Sequence, residues 1–284
     1  MGNGFCGWYF KCQNKEHTLA VIPACHGTKG KKGASIQLLT QDGAWNVPFA
    51  PEEFHLQQEN PLYLTLGENL FCEKGFLLNI HTSELTATGT IHFGPLAPPL
   101  YDFMGPLALV PGLECRHQVV SMIHRVQGSL TINGKEYEFP RGAGYWEGDR
   151  GRSFPREYAW TQCCFQGGSL MMAAAQVPLG PLHMLGTVAI LFWQGKEYRL
   201  ATYLGARVEA IGRGTVRIRQ GRDVFTATLL ERGGHPLRAP AKGAMNRTVR
   251  ESPACRAQYH FQRDGRTLFS LESNQASFEY EFPF

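Results

Sequence analysis

Apolar and polar residues alternate in short runs along most of the chain, and this period of two predicts β-strands rather than helices. In the second half, such runs flank pairs of residues that tolerate a positive φ angle, which is the arrangement of a tight β-hairpin. The pairs are Asn133-Gly134, Gln194-Gly195, Gln220-Gly221 and Asp264-Gly265. We therefore predict that this half is a succession of antiparallel strands joined by hairpins.

The first half shows the same alternation in a weaker form. A segment rich in proline and glycine interrupts it at residues 94–106, and residues 119–126 then form a long apolar strand. We place a domain boundary near residue 115, which gives an N-terminal β domain at 1–115 and a C-terminal β domain at 116–284. The same segment is also compatible with a loop inside one domain. The candidate strands before it are residues 19–22, 35–39, 62–66, 76–80 and 88–93.

The composition supports an all-β fold class with few, short helices. The 32 glycines and 17 prolines are scattered between short apolar runs, as they are in many-stranded proteins that turn often. Strands at this spacing favour two antiparallel barrel or sandwich halves packed together. A barrel of about eight strands can enclose one small ligand, so the fold predicts a cavity but no particular chemistry.

The charge pattern argues against a nucleic-acid partner. The formal net charge is only +4, and the twelve arginines between residues 207 and 266 lie singly beside strand-like residues and turns. Neither a basic helix nor an RNA-binding motif is present. No apolar run approaches the roughly 18 residues that a membrane-spanning helix needs, and we find no apolar h-region of a signal peptide in the sequence. We predict a soluble or peripheral cytoplasmic protein.

The cysteine and histidine spacing predicts no metal site. The eight cysteines include no CxxC pair, and we interpret them as reduced thiols that act as small apolar side chains. His117, His124 and the other histidines are spread singly, with neither an HExxH motif nor a G-x-S-x-G elbow beside them. A single strand histidine is more often a satisfied wall residue than a catalytic group, although one that faces a cavity could relay a proton.

One segment, residues 144–163, combines carboxylates, arginines and five large aromatic residues. Such a mixture is costly to bury unless its charges pair, and partly buried pairs shift carboxyl pKa values enough to make useful acids. The other interpretation is a structural belt of ion pairs at a corner between two barrels. The residues that we single out are Glu147 and Asp149, Tyr145 and Trp146, Arg152 and Arg156, and Tyr158, Trp160 and Gln162.

This segment resembles the signature stretch of tocopherol cyclases. The resemblance rests on Gly151-x-x-Phe154-Pro155-Arg156-x-Tyr158-x-Trp160-x-Gln162-Cys163, with Glu147 four residues ahead. Weaker similarity extends through residues 122–124, 199–203, 237–245 and 278–282, and so covers most of the second half. The chain departs from the family where Asp149-Arg150 replaces Asn-Trp and where Tyr158 replaces Trp.

The resemblance implies a lipocalin-like β fold in two halves and an intramolecular lyase or isomerase activity without a cofactor. Such an enzyme protonates the alkene of a prenylated phenol, quinol or related isoprenoid, and the phenol oxygen then closes a ring. Glu147 and Asp149 are the candidate catalytic acids, with Glu147 the first choice because it agrees with the family pattern. The substrate-binding candidates are Tyr145, Trp146, Arg152, Arg156, Tyr158, Trp160 and Gln162.

Two alternatives stay open. A hydratase on the same scaffold would add water to the alkene instead of closing a ring. A carrier without enzymatic activity would use the cavity for an apolar isoprenoid and the charged segment as scaffold. In each case the partner is an apolar small molecule, collected by transient contact with a membrane surface.

Overall fold

The computed structural model describes residues 4–28, 30–110, 112–179, 182–231 and 233–283, and within them the chain is built from strands. Strands make up 73% of the structure, and the described residues contain no helix of seven or more residues. This confirms the predicted all-β fold class. The described helices are 3-10 turns at Pro51–Glu53, Gly105–Leu109 and Thr202–Leu204. None of them has the length and apolar character to cross a membrane.

The first sheet is antiparallel and has the strand order β4-β3-β2-β1-β11-β10-β9-β8-β7-β6-β5. Its two end strands, β4 and β5, pack their apolar residues against the same buried cluster, so the sheet curls around one core. The strands are β1 (Gly4–Gln13), β2 (Thr18–Thr28), β3 (Lys31–Thr40), β4 (Ala44–Phe49), β5 (Phe54–Glu59), β6 (Leu62–Leu66), β7 (Asn69–Cys72), β8 (Gly75–His81), β9 (Thr86–Phe93), β10 (Cys115–Ile132) and β11 (Lys135–Gly151).

The second sheet has the order β15-β14-β13-β12-β21-β20-β18-β17-β16, and β19 pairs with β20 beside this path. Leu200 on β15 and Val216 on β17 share one buried cluster, so this sheet also curls around its own core. The strands are β12 (Tyr158–Phe165), β13 (Gly168–Leu179), β14 (Leu182–Trp193), β15 (Lys196–Ala201), β16 (Arg207–Gly212), β17 (Thr215–Gln220), β18 (Asp223–Leu229), β19 (His235–Ala241), β20 (Ala244–Arg263) and β21 (Arg266–Tyr280).

The hairpin turns form where the sequence predicts them, with one difference in register. Asn133-Gly134 joins β10 to β11 with φ angles of 48° and 80°, as a type I′ turn requires. Gln194-Gly195 and Asp264-Gly265 make the equivalent turns before β15 and β21. Gln220, however, pairs with Asp223, so the turn residues there are Gly221 and Arg222. Gly221 at φ 56° then occupies the first central position, where a type II′ turn places glycine.

The predicted domain boundary near residue 115 falls inside the first sheet. The long strands β10 and β11 pair with β9 and β1, so the change of sheet occurs between Gly151 and Tyr158. The segment 144–163 is therefore not a loop of the second half. It consists of the end of β11, a short connection and the start of β12, and it joins the two sheets.

A third buried cluster lies between the two sheets. Along β1, Tyr9 belongs to this cluster while Phe10 belongs to the core of the first sheet, because successive strand residues face opposite sides. Along β12, Trp160 belongs to it while Ala159 belongs to the core of the second sheet. Strands from both halves thus give one face to their own barrel and one face to the interface.

Candidate functional site

A cavity of about 220 Å³ opens at this interface, and it is lined by residues of both sheets. Apolar side chains form most of its wall, including Ile22 and Phe103 from the first half and Val188 and Leu237 from the second. Ionisable groups are concentrated among them. These are His117, Glu147, Asp149, Glu251, Glu279, the phenols of Tyr9 and Tyr158, the thiol of Cys115 and the guanidinium of Arg238.

The pleat of β11 explains which residues of the predicted segment reach this cavity. Glu147 and Asp149 are two residues apart, so both face the interface and both line the cavity. Tyr145 lies on the same side, fully buried behind Glu147. Trp146 points the other way into the core of the first sheet, where its ring stands 5.0 Å from that of Phe10. The structure therefore places Trp146, a predicted substrate-binding residue, on the opposite side of the strand.

Glu147 is the best-connected carboxylate of the cavity. Its Oε2 accepts hydrogen bonds from the hydroxyl of Tyr145 at 2.5 Å and from Nε1 of Trp160 at 3.1 Å. Nε2 of His117 lies 3.3 Å from the same oxygen. Glu147 thus faces the cavity and is held by Tyr145, Trp160 and His117, and neither Arg152 nor Arg156 is its ion-pair partner.

His117 connects Glu147 to Asp149. Its Nδ1 is 3.0 Å from Oδ1 of Asp149, and its ring packs edge-on against Phe103 with the centroids 4.8 Å apart. Burial lowers the pKa of this imidazole, but the two carboxylates outweigh burial and raise the pKa well above its usual value. His117 thus lies between two carboxyl groups that favour its protonated form. The sequence analysis named this residue only as one of several strand histidines, because the pairing of β10 with β11 that brings it to Glu147 is not visible in a local pattern.

The same three residues have donor atoms close enough to share a cation. One atom each of His117, Glu147 and Asp149 lies within 4.8 Å of the others, a geometry that the sequence spacing did not predict. Two carboxylates and one histidine nitrogen can bind a divalent ion only if the imidazole loses its proton. A protonated His117 and a metal ion are therefore alternatives at this position.

A second pair of carboxyl groups, unpredicted from the sequence, lies in the same cavity. Glu251 on β20 and Glu279 on β21 are direct partners across the antiparallel pair, and both are buried. The hydroxyl of Tyr9 donates to Oε1 of Glu251, and the hydroxyl of Tyr158 donates to Oε2 of Glu279. The signal that could have indicated Glu279 is its position within Ser277-Phe278-Glu279-Tyr280, where an acid interrupts an apolar strand.

On β12, the structure separates the predicted aromatic residues from the predicted amide. Tyr158 and Trp160 line the cavity, and the Trp160 ring packs edge-on against Tyr9 at 5.4 Å. Gln162 faces the same interface farther along the strand and donates to Sγ of Cys164 at 3.2 Å. It is fully buried but is not among the residues that line the cavity.

The two predicted arginines lie outside the cavity wall. Arg152 and Arg156 belong to the connection between β11 and β12, and both are exposed. Phe154 and Pro155, between them, do line the cavity, and the Phe154 ring contacts Phe5 edge-on at 5.4 Å. The apolar members of this connection thus face inward while the charged members face solvent.

The connection between β9 and β10 covers part of the cavity. Phe103, Met104 and Leu107 of this segment line the cavity. Arg199 on β15 holds the segment in place, because its guanidinium stacks on Tyr101 at 3.6 Å and donates to the carbonyl oxygens of Tyr101 and Asp102. The Pro/Gly-rich segment is therefore a cover anchored to the second sheet.

Comparisons with known proteins agree with this architecture. The sequence profile of the family described as tocopherol cyclase-like matches residues 84–280. The solved structure of CghA with Sch210972 is similar over 98% of this chain and 88% of that one, with 11% identity and a TM-score of 0.62. A structure assigned as AttH from Nitrosomonas europaea covers 99% of this chain and 92% of its own, with 11% identity and a TM-score of 0.52. A search of curated proteins finds no match.

Proposed function

This chain belongs to the tocopherol cyclase-like family, and from that premise we propose that it is a cofactor-independent cyclase acting on a prenylated phenol or quinol. The observation that carries the proposal is the cavity between the two sheets. It is mostly apolar, yet it buries Glu147, Glu251 and Glu279 beside aromatic rings and partly buries His117. An apolar wall suits a prenyl chain, while the ionisable groups can move protons at its reacting end.

The residues of the cavity wall can stabilise the charged intermediate of this reaction. Protonation of a trisubstituted alkene produces a tertiary carbocation, which must be stabilised until the phenol oxygen attacks. The faces of Tyr9, Tyr158 and Trp160 can each stabilise a cation by about 0.5–2 kcal/mol. Buried carboxylates add a negative field at the place where positive charge develops.

Glu147 is better placed to accept the proton of the phenol than to donate a proton to the alkene. Agreement with the family pattern favours Glu147 as the acid, but its Oε2 already accepts hydrogen bonds from Tyr145 and Trp160 and lies beside Nε2 of His117, which is the geometry of a proton acceptor. A carboxylate near the phenol removes its proton as the C–O bond forms. Glu147 therefore stays a proposed catalytic residue, in the role of base.

Exclusion of water decides between ring closure and hydration. A carbocation in a wet cavity is captured by water, whereas in a dry cavity the phenol oxygen is the nearest nucleophile. Phe103 and Leu107 of the covering segment and Phe154 of the β11–β12 connection close the wall with apolar side chains. This lining favours the cyclase over the hydratase.

Incubation of the purified protein with a panel of prenylated phenols and quinols, followed by liquid chromatography and mass spectrometry, tests the proposal. Cyclisation leaves the mass unchanged and alters the retention time, while in D₂O the product gains one deuterium on the carbon that was protonated. A product heavier than the substrate by one water molecule would indicate the hydratase. Tight binding of the panel without any turnover would contradict the enzyme and favour the carrier.

We further propose that the covering segment contacts a membrane surface when substrate is collected. Leu100 and Leu109 are 79% and 83% exposed, and Tyr101 between them is also exposed, next to residues of the same segment that line the cavity. Exposed apolar residues at the entrance to an apolar site favour a lipid partner. Sedimentation with neutral phospholipid vesicles tests this, with a Leu100→Ser/Leu109→Ser variant expected to bind less and Leu230→Ser, another exposed leucine, serving as the control.

A further inference from the structure

We propose that Glu251 and Glu279 form an acid pair that holds one proton between them and delivers it to the alkene of the substrate. The proposal deepens the cyclase function and rests on it. It starts from the register of β20 and β21, in which these two residues are direct partners, so that their side chains emerge side by side on the cavity face.

The surroundings of the pair exclude water. Glu251 is fully buried and Glu279 is 9% exposed. Tyr9 donates a hydrogen bond to one oxygen of Glu251, and Tyr158 donates one to Glu279. Each carboxyl group therefore has one phenol donor, from β1 of the first sheet for Glu251 and from the adjacent β12 for Glu279, which positions it without supplying a positive charge.

The two groups need a shared proton to satisfy their hydrogen bonds. Oε2 of Glu251 is buried and has no donor among the described residues if both groups are ionised. A proton on either group supplies this donor and forms a hydrogen bond between Glu251 and Glu279. Two adjacent carboxylates without such a proton would repel each other in a medium that screens charge poorly.

The electrostatics agree with this geometry. Burial raises the pKa of Glu251 to about 7, helped by the charge of Glu147 and opposed by the Tyr9 hydrogen bond and by Lys11. Burial also raises the pKa of Glu279 well above its usual value, with further increases from Glu251, Glu147 and Glu281. Lys11, the cation in this set, is itself fully buried, and burial lowers its pKa. The pair thus retains a proton at neutral pH.

The cavity therefore contains carboxyl groups in two different environments. Oε2 of Glu147 accepts hydrogen bonds from Tyr145 and Trp160 and lies 3.3 Å from Nε2 of His117, so the groups around it are donors. Glu251 and Glu279 have each other as neighbours, which favours retention of a proton. One site can thereby supply both a proton donor and a proton acceptor.

The proposed step balances within the site. The O–H bond of the acid pair breaks as a C–H bond forms at one alkene carbon, and the pair is left doubly ionised. The phenol oxygen then forms the C–O bond at the cationic carbon, and its proton passes to Glu147. Transfer of this proton from Glu147 back to the pair restores the starting state, so no other reactant is consumed.

Infrared spectroscopy tests the shared proton without any substrate. Protein labelled with ¹³C-glutamate should show, at neutral pH, the carbonyl stretch of a protonated glutamic acid. The band should be lost in the double variant Glu251→Gln/Glu279→Gln. It should be retained in Glu272→Gln, because Glu272 lies on β21 with Glu279 but is exposed and pairs with Arg256. Absence of the band from the wild-type protein overturns the proposal, and so does its persistence in a folded double variant.

Turnover tests the delivery of the proton. On a substrate identified in the panel, Glu251→Gln and Glu279→Gln should each lower kcat by about 10²–10⁴-fold, the usual contribution of a positioned acid, while Glu272→Gln keeps the wild-type rate. Full activity in both single variants overturns the acid pair and leaves the cyclase function intact. If wild-type protein turns over no member of the panel, the cyclase function fails, and the infrared band still decides whether the pair holds a proton.

Discussion

Nε1 of Trp160 on β12 donates a hydrogen bond to Oε2 of Glu147 on β11 over 3.1 Å, and this bond links the two sheets across the cavity. The segment that connects the two strands supplies Phe154 and Pro155 to the cavity wall. A charge-assisted bond in a buried setting is stronger than one between neutral groups. The contact therefore orients a proposed catalytic carboxylate and also stabilises the interface.

We expect Trp160→Phe to lower both stability and activity. The substitution keeps an aromatic face but removes the N–H group, and a hydrogen bond to a charged group contributes about 1.5–3 kcal/mol. Urea denaturation should show a free energy of unfolding lower by about that amount. Trp193→Phe is the matched control, because Trp193 packs against Phe269 in the second core. Equal losses in both variants would contradict a specific contribution from the bond.

Glu147→Gln should reduce turnover far more than Asp149→Asn. Glu147 accepts from Tyr145 and Trp160 and is nearly fully buried, whereas the side chain of Asp149 is 19% exposed. Loss of a positioned base costs about 10²–10⁴-fold in rate. Measurements of kcat for both variants, with circular dichroism to verify folding, provide the comparison. Full activity in Glu147→Gln would mean that the proton acceptor lies elsewhere.

The buried acid pair should make the wild-type protein less stable as the pH rises from about 4.5 to 7. The folded protein keeps a proton on Glu251 up to a pKa of about 7, while the unfolded chain releases it near 4.5. Unfolding then releases a proton across this window, so the free energy of unfolding falls with increasing pH. A shift of this size corresponds to roughly 3 kcal/mol.

The measurement is urea denaturation of the wild-type protein and Glu251→Gln at several pH values within that window. The glutamine side chain of the variant does not titrate, so the free energy of unfolding of the variant minus that of wild type should increase from pH 4.5 to 7 and then level off. Glu272→Gln should follow the wild-type curve. A stability difference between Glu251→Gln and wild type that is independent of pH would contradict a raised pKa at Glu251.

We expect the purified protein to contain no stoichiometric metal. The His117 pKa is raised by Glu147 and Asp149, so binding of a cation by these three residues must first displace a proton. Elemental analysis after purification without chelators gives the direct measurement. Stoichiometric zinc, iron or magnesium that is lost in His117→Gln would instead assign the cluster as a metal site.

Replacement of Arg152 or Arg156 by alanine should change little. Both side chains are exposed on the connection between the sheets, and surface substitutions of this kind usually alter stability by less than about 0.5 kcal/mol. Ligand affinity and kcat should stay within about twofold of wild type, as expected for residues outside the cavity wall. A tenfold or greater loss of affinity would indicate that these arginines reach the substrate, as the sequence analysis predicted.

The sequence alone determines the local structure of this protein. Asn133-Gly134 and Asp264-Gly265 adopt the positive φ angles that their short loops require, so the hairpins are local events. The alternation of side chains along a strand also places Glu147 and Asp149 on one face and Trp146 on the other, once the strand is recognised. Without the strand, the composition of residues 144–163 groups Trp146 with the site residues.

Only the tertiary structure decided which residues share the cavity. Tyr9 and Glu251 are 242 positions apart in the chain and meet because the faces of β1 and β20 pack across the interface between the sheets. His117 reaches Glu147 and Asp149 through the pairing of β10 with β11. Local patterns indicate which face of a strand is apolar, but the partner of that face depends on how two curled sheets pack. The proton affinities of Glu251 and Glu279 depend on the same packing, because burial and neighbouring charge determine them.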